Sequence, residues 1–366
     1  MKEKLDSDGL LKTAGLLLLL GLAFVIAYWG MFDKAERFLP TWDNSMLHAG
    51  RAVFIMETGH YAEMEVVFGG VTPTYHLPAY PALVAGTAML TGLDFAWTER
   101  LLTLLLTTLL AFAVYTIAKA IAGDWRAGVV AGMLAMTSVN LMTWGTRNSP
   151  IGLGNALLPI ALYLLLERRT LAAVLCGLVI ALDHQPTLLV FALSAFLFFL
   201  WEYLTNLQHA TKLSAEKLFA NIMHPEVLTT ALAGLAAFFT YMAWHVRQTG
   251  LTCLNFKCLP QFGAKEFGKS IDFVEYFSKT PQAIALLGFV LLPFSKAPTR
   301  NKGLAFAWLF ACILLVKNDL LGIGTFTERF LTYLDCAVAV FAGIGAGLVL
   351  QWVEGKNTAK ETTTLP

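Results

Sequence analysis

The chain is 366 residues long, 57% of it apolar by type and only 14% charged, with a formal net charge of +1. A soluble domain carries about 25% charged residues, so one water-soluble fold is excluded, and the near-zero balance offers nucleic acid or an acidic partner no bulk attraction. A mean hydropathy of +0.63 points instead to a single polytopic membrane domain over residues 1–353, followed by a polar tail, 354–366, expected to be disordered.

A spanning helix needs about 20 apolar residues to cross about 30 Å of hydrocarbon. The first candidate, Leu10–Met31, follows Lys2, Lys4 and Lys12 and ends in Tyr28-Trp29, an interface-type aromatic pair. Its length favours a retained anchor over a cleaved signal peptide. A long first loop, 32–94, comes next. Within it Asn44–Thr58 is helix-compatible, with Asp43 as N-cap and Gly59 as C-cap. Leu77–Leu93 is apolar but short and holds Pro78 and Pro81, so it is expected to lie in or dip into the outer interface. Further apolar stretches run at 95–122, 126–144, 153–166, 170–183, 186–205, 227–246, 281–295, 303–317 and 329–353. The expected fold is therefore an all-α bundle of about ten transmembrane helices.

Charge fixes the expected orientation. With the N-terminus inside, the connections 119–126, 167–169, 206–226 and 296–302, and the tail, all carry Lys or Arg and all fall on the cytoplasmic side. The first outer loop holds Asp33, Glu36, Asp43, Glu57, Glu63 and Glu65 against Lys34, Arg37 and Arg51. Counting Leu77–Leu93 as a span would reverse every later connection. The expectation is thus a multi-pass protein of the cell membrane with both termini cytoplasmic. Connection 206–226 reads as a short amphipathic surface helix. Loop 247–280, with its Lys, Glu and Phe residues, reads as a lid. Cys176, Cys312 and Cys336 lie in apolar runs, whereas Cys253 and Cys258 share a polar loop and fit either a disulfide or free thiols.

Chemistry is expected at the outer face. On a helix Asp43, His48 and Arg51 share one arc of roughly 140° at 100° per residue. A carboxylate and an imidazole suit a divalent cation or a proton, and an arginine suits phosphate. A capped helix with a solvated polar face fits the same spacing. At the same membrane depth fall His76, in His76-Leu77-Pro78-Ala79-Tyr80-Pro81, then Arg147-Asn148, the turn Asp183-His184-Gln185-Pro186, and Glu328-Arg329. An arginine at that depth also fits simple snorkelling, and His184 before Gln-Pro fits a turn residue. Ionisable groups are costly in hydrocarbon and line polar cavities when they approach it.

These residues resemble the GT-C glycosyltransferases, multi-pass enzymes that use polyprenyl-phosphate sugars. Asp43, His48, Arg51, Ile55 and Gly59 are similar to the first-loop pattern of oligosaccharyltransferase catalytic subunits and protein O-mannosyltransferases. His76 through Pro81 resembles the Pro-Pro-Leu-Tyr segment of the aminoarabinose and mannosyl transferases. Gly92, Glu99-Arg100-Leu101, Val114-Tyr115, Lys119, Gly123-Asp124 and Arg126-Ala127-Gly128 are similar to the second and third spans of those enzymes, and Glu328-Arg329-Phe330 to the start of a late span. The resemblance covers roughly 42–341 of the chain. It implies sugar transfer from a polyprenyl-phosphate donor to a glycan, lipid or protein acceptor on the extracytoplasmic side, with inversion. It implies Asp43 as catalytic base or metal ligand. His48 and Arg51 would orient it, or His48 would help hold Mg or Mn. His76, Arg147 and Arg329 would be the donor phosphate contacts. The chain departs from the pattern in one place, for Thr146 through Asn155 holds no carboxylate. Two other readings fit a ten-span bundle: a transporter, although no internal repeat is visible, and an inactive GT-C relative serving as a membrane scaffold.

Overall fold

The computed structural model describes residues 7–32, 43–64, 77–145, 149–208, 224–249, 279–321 and 327–363. Among these the regular elements are thirteen α-helices and two short 3₁₀ helices, Leu292–Phe294 and Asn318–Leu321. The α-helices are α1 (Ser7–Phe32), α2 (Asp43–Thr58), α3 (Ala79–Thr91), α4 (Phe95–Ala122), α5 (Trp125–Thr137), α6 (Val139–Gly145) and α7 (Pro150–Leu166). There follow α8 (Thr170–Ala181), α9 (Gln185–Gln208), α10 (Pro225–Thr249), α11 (Lys279–Leu291), α12 (Thr299–Val316) and α13 (Thr327–Thr363). Six of them, α1, α4, α9, α10, α12 and α13, are long and apolar enough to cross a membrane, so the chain is a polytopic membrane protein. The other four expected spans are helical but shorter: α5 with 13 residues, α7 with 17, α8 with 12 and α11 with 13. Side chains such as Phe196, Phe239 and Leu286 stand outward, as expected of a lipid-facing surface.

Local chemistry explains the breaks. Gly123, at φ 70°, ends α4 with its N–H on the Lys119 carbonyl, and Asp124 starts α5 by accepting from Arg126 N at 2.9 Å. This sharp corner lets α5 fold back on α4. A Cβ at Gly128 would stand 2.6 Å from the Tyr115 carbonyl, so only glycine allows the approach. Asp94 caps α4 through Trp97 N at 2.9 Å. Gly59, at φ 78°, closes α2 with its N–H on the Ile55 carbonyl. The helix α3, ended by Gly92 at φ 70°, has 13 residues. That is about 20 Å at 1.5 Å per residue, too short to span.

Two expectations are corrected. The stretch 126–144 is not one helix. It breaks at Ser138, whose hydroxyl donates to Asp335 Oδ2 at 2.7 Å on α13 and accepts from Leu141 N, the start of α6. The tail is helical in backbone as far as Thr363, as a continuation of α13 past the apolar run. The connection 206–226 falls largely outside the described residues, as do the loop 247–280 beyond Thr249 and the Cys253–Cys258 pair.

Helix α13 is the central post, packed on α5, α11 and α12, while α4 packs on α5 and α7, and α9 on α10 and α12. Contacts sort the connections to two ends. At one end Arg126 pairs with Glu354, Asn301 donates to the Ala120 carbonyl at 2.8 Å, and Thr170 bonds Thr229 at 2.8 Å. There Arg300 also donates to Glu202 at 2.7 Å and to the Leu165 and Leu166 carbonyls at 2.8 and 2.7 Å. The basic connections that charge patterning puts on one side are therefore neighbours in space. The opposite end gathers α2, α3, the α8–α9 turn and the start of α13.

Candidate functional site

At this second end a polar cluster is buried beneath apolar helices. Its base is the turn between α8 and α9. The Leu182 carbonyl accepts from Ala79 N at 2.8 Å, which fixes the start of α3 on that turn. Next along, His184 Nδ1 is hydrogen-bonded to the Tyr333 hydroxyl at 2.9 Å and to Thr187 Oγ1 at 3.1 Å. Thr187 and Tyr333 are bonded to each other as well. The absence of a side chain at Gly154 makes room for Thr187, so α7, α9 and α13 meet there. The Gln185 amide donates to the Tyr241 hydroxyl at 2.8 Å on α10, and Tyr241 stacks on His245.

Helix α2 joins from above. Arg51 is fully buried and donates to His48 Nδ1 at 3.4 Å. The His48 ring meets Tyr80 edge-on at 5.8 Å. Both residues face inward, so the solvated polar face does not describe this helix. Glu99, in the second turn of α4, is buried too, and both it and Asp183 lie near enough to Tyr80 to act on its hydroxyl electrostatically. Asp183 and Arg329 both lie near enough to act on the Tyr333 hydroxyl, with opposite sign. Arg329 is half-buried at the start of α13, one turn before Tyr333. Burial pushes the Asp183 carboxyl well above the usual carboxylate range.

Of the residues singled out in the sequence, His48, Arg51 and Arg329 belong to this end. Asp43 opens α2, but its side chain is outside the described residues, as are His76 and Arg147. The cluster also holds groups the sequence reading gave no role: Tyr80, Glu99, Asp183 and Tyr333. Glu99 and Asp183 carry a usable signal, since each is a carboxylate within a few residues of a membrane-boundary helix end. The tyrosines carry none, since an aromatic in an apolar run reads as packing. A divalent metal does not fit the described residues well. No three His, Cys, Asp or Glu side chains stand together among them, and His48 Nδ1 faces the cationic Arg51.

Away from the cluster, an apolar cleft of about 790 Å³ runs along α12, lined by Leu197, Trp201, Phe306, Phe310 and Leu314 among others.

No curated protein matches the chain. Among solved structures it is similar to ArnT from Cupriavidus metallidurans, determined with undecaprenyl phosphate bound. Identity is 15% and the TM-score 0.59, over 91% of this chain and 60% of ArnT. The chain thus spans less than two thirds of ArnT, and the likeness is one of fold. A family model described as "Family of unknown function (DUF6541)" matches residues 2–325. The chain belongs to that family, in a membrane fold of the GT-C type.

Proposed function

We propose that the protein transfers a sugar from a polyprenyl-phosphate donor to an acceptor hydroxyl at the extracytoplasmic surface of the membrane. The observation that carries this reading is the buried cluster itself: cationic and acidic groups from α2, α4, the α8–α9 turn and α13 converge at the end opposite the basic connections. The fold likeness to ArnT supports it, and that protein was solved with undecaprenyl phosphate bound. The apolar cleft along α12 suits a lipid tail.

Such a donor keeps its tail in hydrocarbon and its phosphate at the interface, so the protein must supply cations there. Arg329 takes the phosphate in this reading, with His76 and Arg147. Asp43 is the base. The acceptor oxygen forms a bond to the anomeric carbon as the bond from that carbon to the phosphate oxygen breaks. The acceptor proton passes to the Asp43 carboxylate, and the lipid phosphate leaves with the bonding electrons. Displacement from the opposite face inverts the centre. His48 and Arg51 hold α2 against Tyr80 and so orient Asp43. In membranes supplied with a radiolabelled lipid-linked sugar, Asp43→Asn is expected to abolish transfer while Arg329→Ala raises the KM for the donor. Unchanged transfer by Asp43→Asn removes the assignment.

A further inference from the structure

Of the polar side chains in the α8–α9 turn, only Asp183 makes no hydrogen bond at all among the described residues, although the Gln185 Oε1 is bare as well. His184 is tied to Tyr333 and Thr187, and Gln185 to Tyr241. Asp183 is 2% exposed, yet neither of its carboxylate oxygens has a hydrogen-bond partner among the described residues. A buried polar group left bare costs roughly 1–3 kcal/mol, more if charged, and native structures keep few of them. Two other buried groups without a hydrogen-bond partner among the described residues adjoin members of this knot in sequence, one on α7 and one on α13. The Asn155 amide, 1% exposed, has no partner among the described residues on either its oxygen or its nitrogen. It follows Gly154, which packs on Thr187. The Thr332 hydroxyl, also bare, precedes Tyr333.

The chemistry of these groups selects a ligand class. A metal ion asks for three or four donors of a kind the described residues do not assemble. Two acids, Asp183 and Glu99, acting on the same tyrosine make a poor seat for a phosphate. A neutral polyol suits all three: its hydroxyls both give and take hydrogen bonds, as a carboxyl group and an amide do. We propose that Asp183 and Asn155 are the sugar-contacting residues of the site, with Asp183 accepting from ring hydroxyls while the donor phosphate stays at Arg329. The inference rests on the transferase reading and deepens it.

The test uses the full chain in lipid nanodiscs and compares two kinds of probe. One is undecaprenyl phosphate. The others are undecaprenyl phosphoryl-mannose and undecaprenyl phosphoryl-xylose, a hexose and a pentose on the same lipid. Wild type is expected to bind at least one sugar-bearing lipid about tenfold tighter than the bare lipid, the increment of one hydrogen bond to a buried group otherwise left bare. Asp183→Asn and Asn155→Ala are expected to erase that increment and leave bare-lipid affinity within about twofold. A variant pair that keeps the increment overturns the proposal. So does a wild type that binds the bare lipid but gains nothing from either sugar, in which case the lipid-phosphate reading stands. Failure to bind any of the lipids sinks both. A second measurement needs no variant. Dicyclohexylcarbodiimide, a hydrophobic carboxyl reagent, is expected to form an adduct at Asp183 of the wild type, found by peptide mass. The sugar-bearing lipid is expected to suppress it more than the bare lipid does. Equal labelling with both overturns the proposal.

Discussion

Replacing Arg300 by alanine isolates the network that ties the basic end together. Its guanidinium touches Glu202 at 2.7 Å and the Leu165 and Leu166 carbonyls at 2.8 and 2.7 Å, and the second Glu202 oxygen takes the Thr230 hydroxyl at 2.9 Å. The Glu202 side chain is 2% exposed and that of Arg300 13%. Arg300→Ala therefore strands a buried carboxylate, at about 3–5 kcal/mol. It also strips the Leu166 carbonyl of its Arg300 donor, at about 1 kcal/mol, while the Leu165 carbonyl keeps Arg168 N at 3.1 Å. With a total near 5 kcal/mol and about 2 °C per kcal/mol for a large domain, the unfolding midpoint in detergent is expected to fall by about 10 °C, read by intrinsic tryptophan fluorescence. Arg300→Lys is expected to recover less than half, because an ammonium lacks the planar fork that reaches a carboxylate and two carbonyls together. The double variant Glu202→Ala/Arg300→Ala is expected to be more stable than the two single losses summed, since the stranded acid is gone. A fall under about 3 °C for Arg300→Ala, or strict additivity in the double variant, refutes the reasoning.

Three further outcomes follow from packing and charge. A methyl group at Gly288 would overlap the Phe341 carbonyl where α11 crosses α13. Gly288→Ala is thus expected to cost about 1–3 kcal/mol by thermal unfolding, and the same change at Gly86, which meets nothing, close to zero. Ser138→Ala removes the hydroxyl that holds Asp335 at the α5–α6 break, with an expected loss of about 1.5–3 kcal/mol in the same assay. Asp183 gives a pH signature. Its folded-state value is raised by burial, so the folded chain holds that proton more tightly than the unfolded chain does. The stabilising contribution is complete below the unfolded value of about 4 and is lost as pH rises through the folded one. Asp183→Asn is expected to match wild type near pH 4 and to gain on it as pH is raised; a gap that widens toward acid contradicts this.

Much of the architecture is legible without coordinates. Gly59, Gly92 and Gly123 announce helix ends because a positive φ is cheap only for glycine, and Asp94 and Asp124 announce starts because a short carboxylate reaches an unpaired N–H. Proline and shortness together exclude α3 as a span, and lysine and arginine sort the connections to one end. The break at Ser138 is hidden because hydropathy sums over a window and does not see one hydroxyl diverted to α13. The direction of the Asp43–His48–Arg51 arc is hidden for a related reason: periodicity says which residues share a face, not what covers it. Here the cover for His48 is Tyr80, about thirty residues away. Asp183 is visible as a turn residue, but its lack of partners depends on where Tyr333 and Tyr241 send their hydroxyls.

One dimension of the bundle bears on the bilayer around it. Along α9 the backbone climbs about 26 Å from Gln185 to Glu202 at 1.5 Å per residue, and those two positions mark the polar layers at the two ends. The hydrocarbon of an average membrane is about 30 Å thick. The apolar belt is therefore a few Å shorter than its surroundings, and lipids beside it must compress to match. Such a pinch draws the headgroups of adjacent lipids toward the protein's midplane.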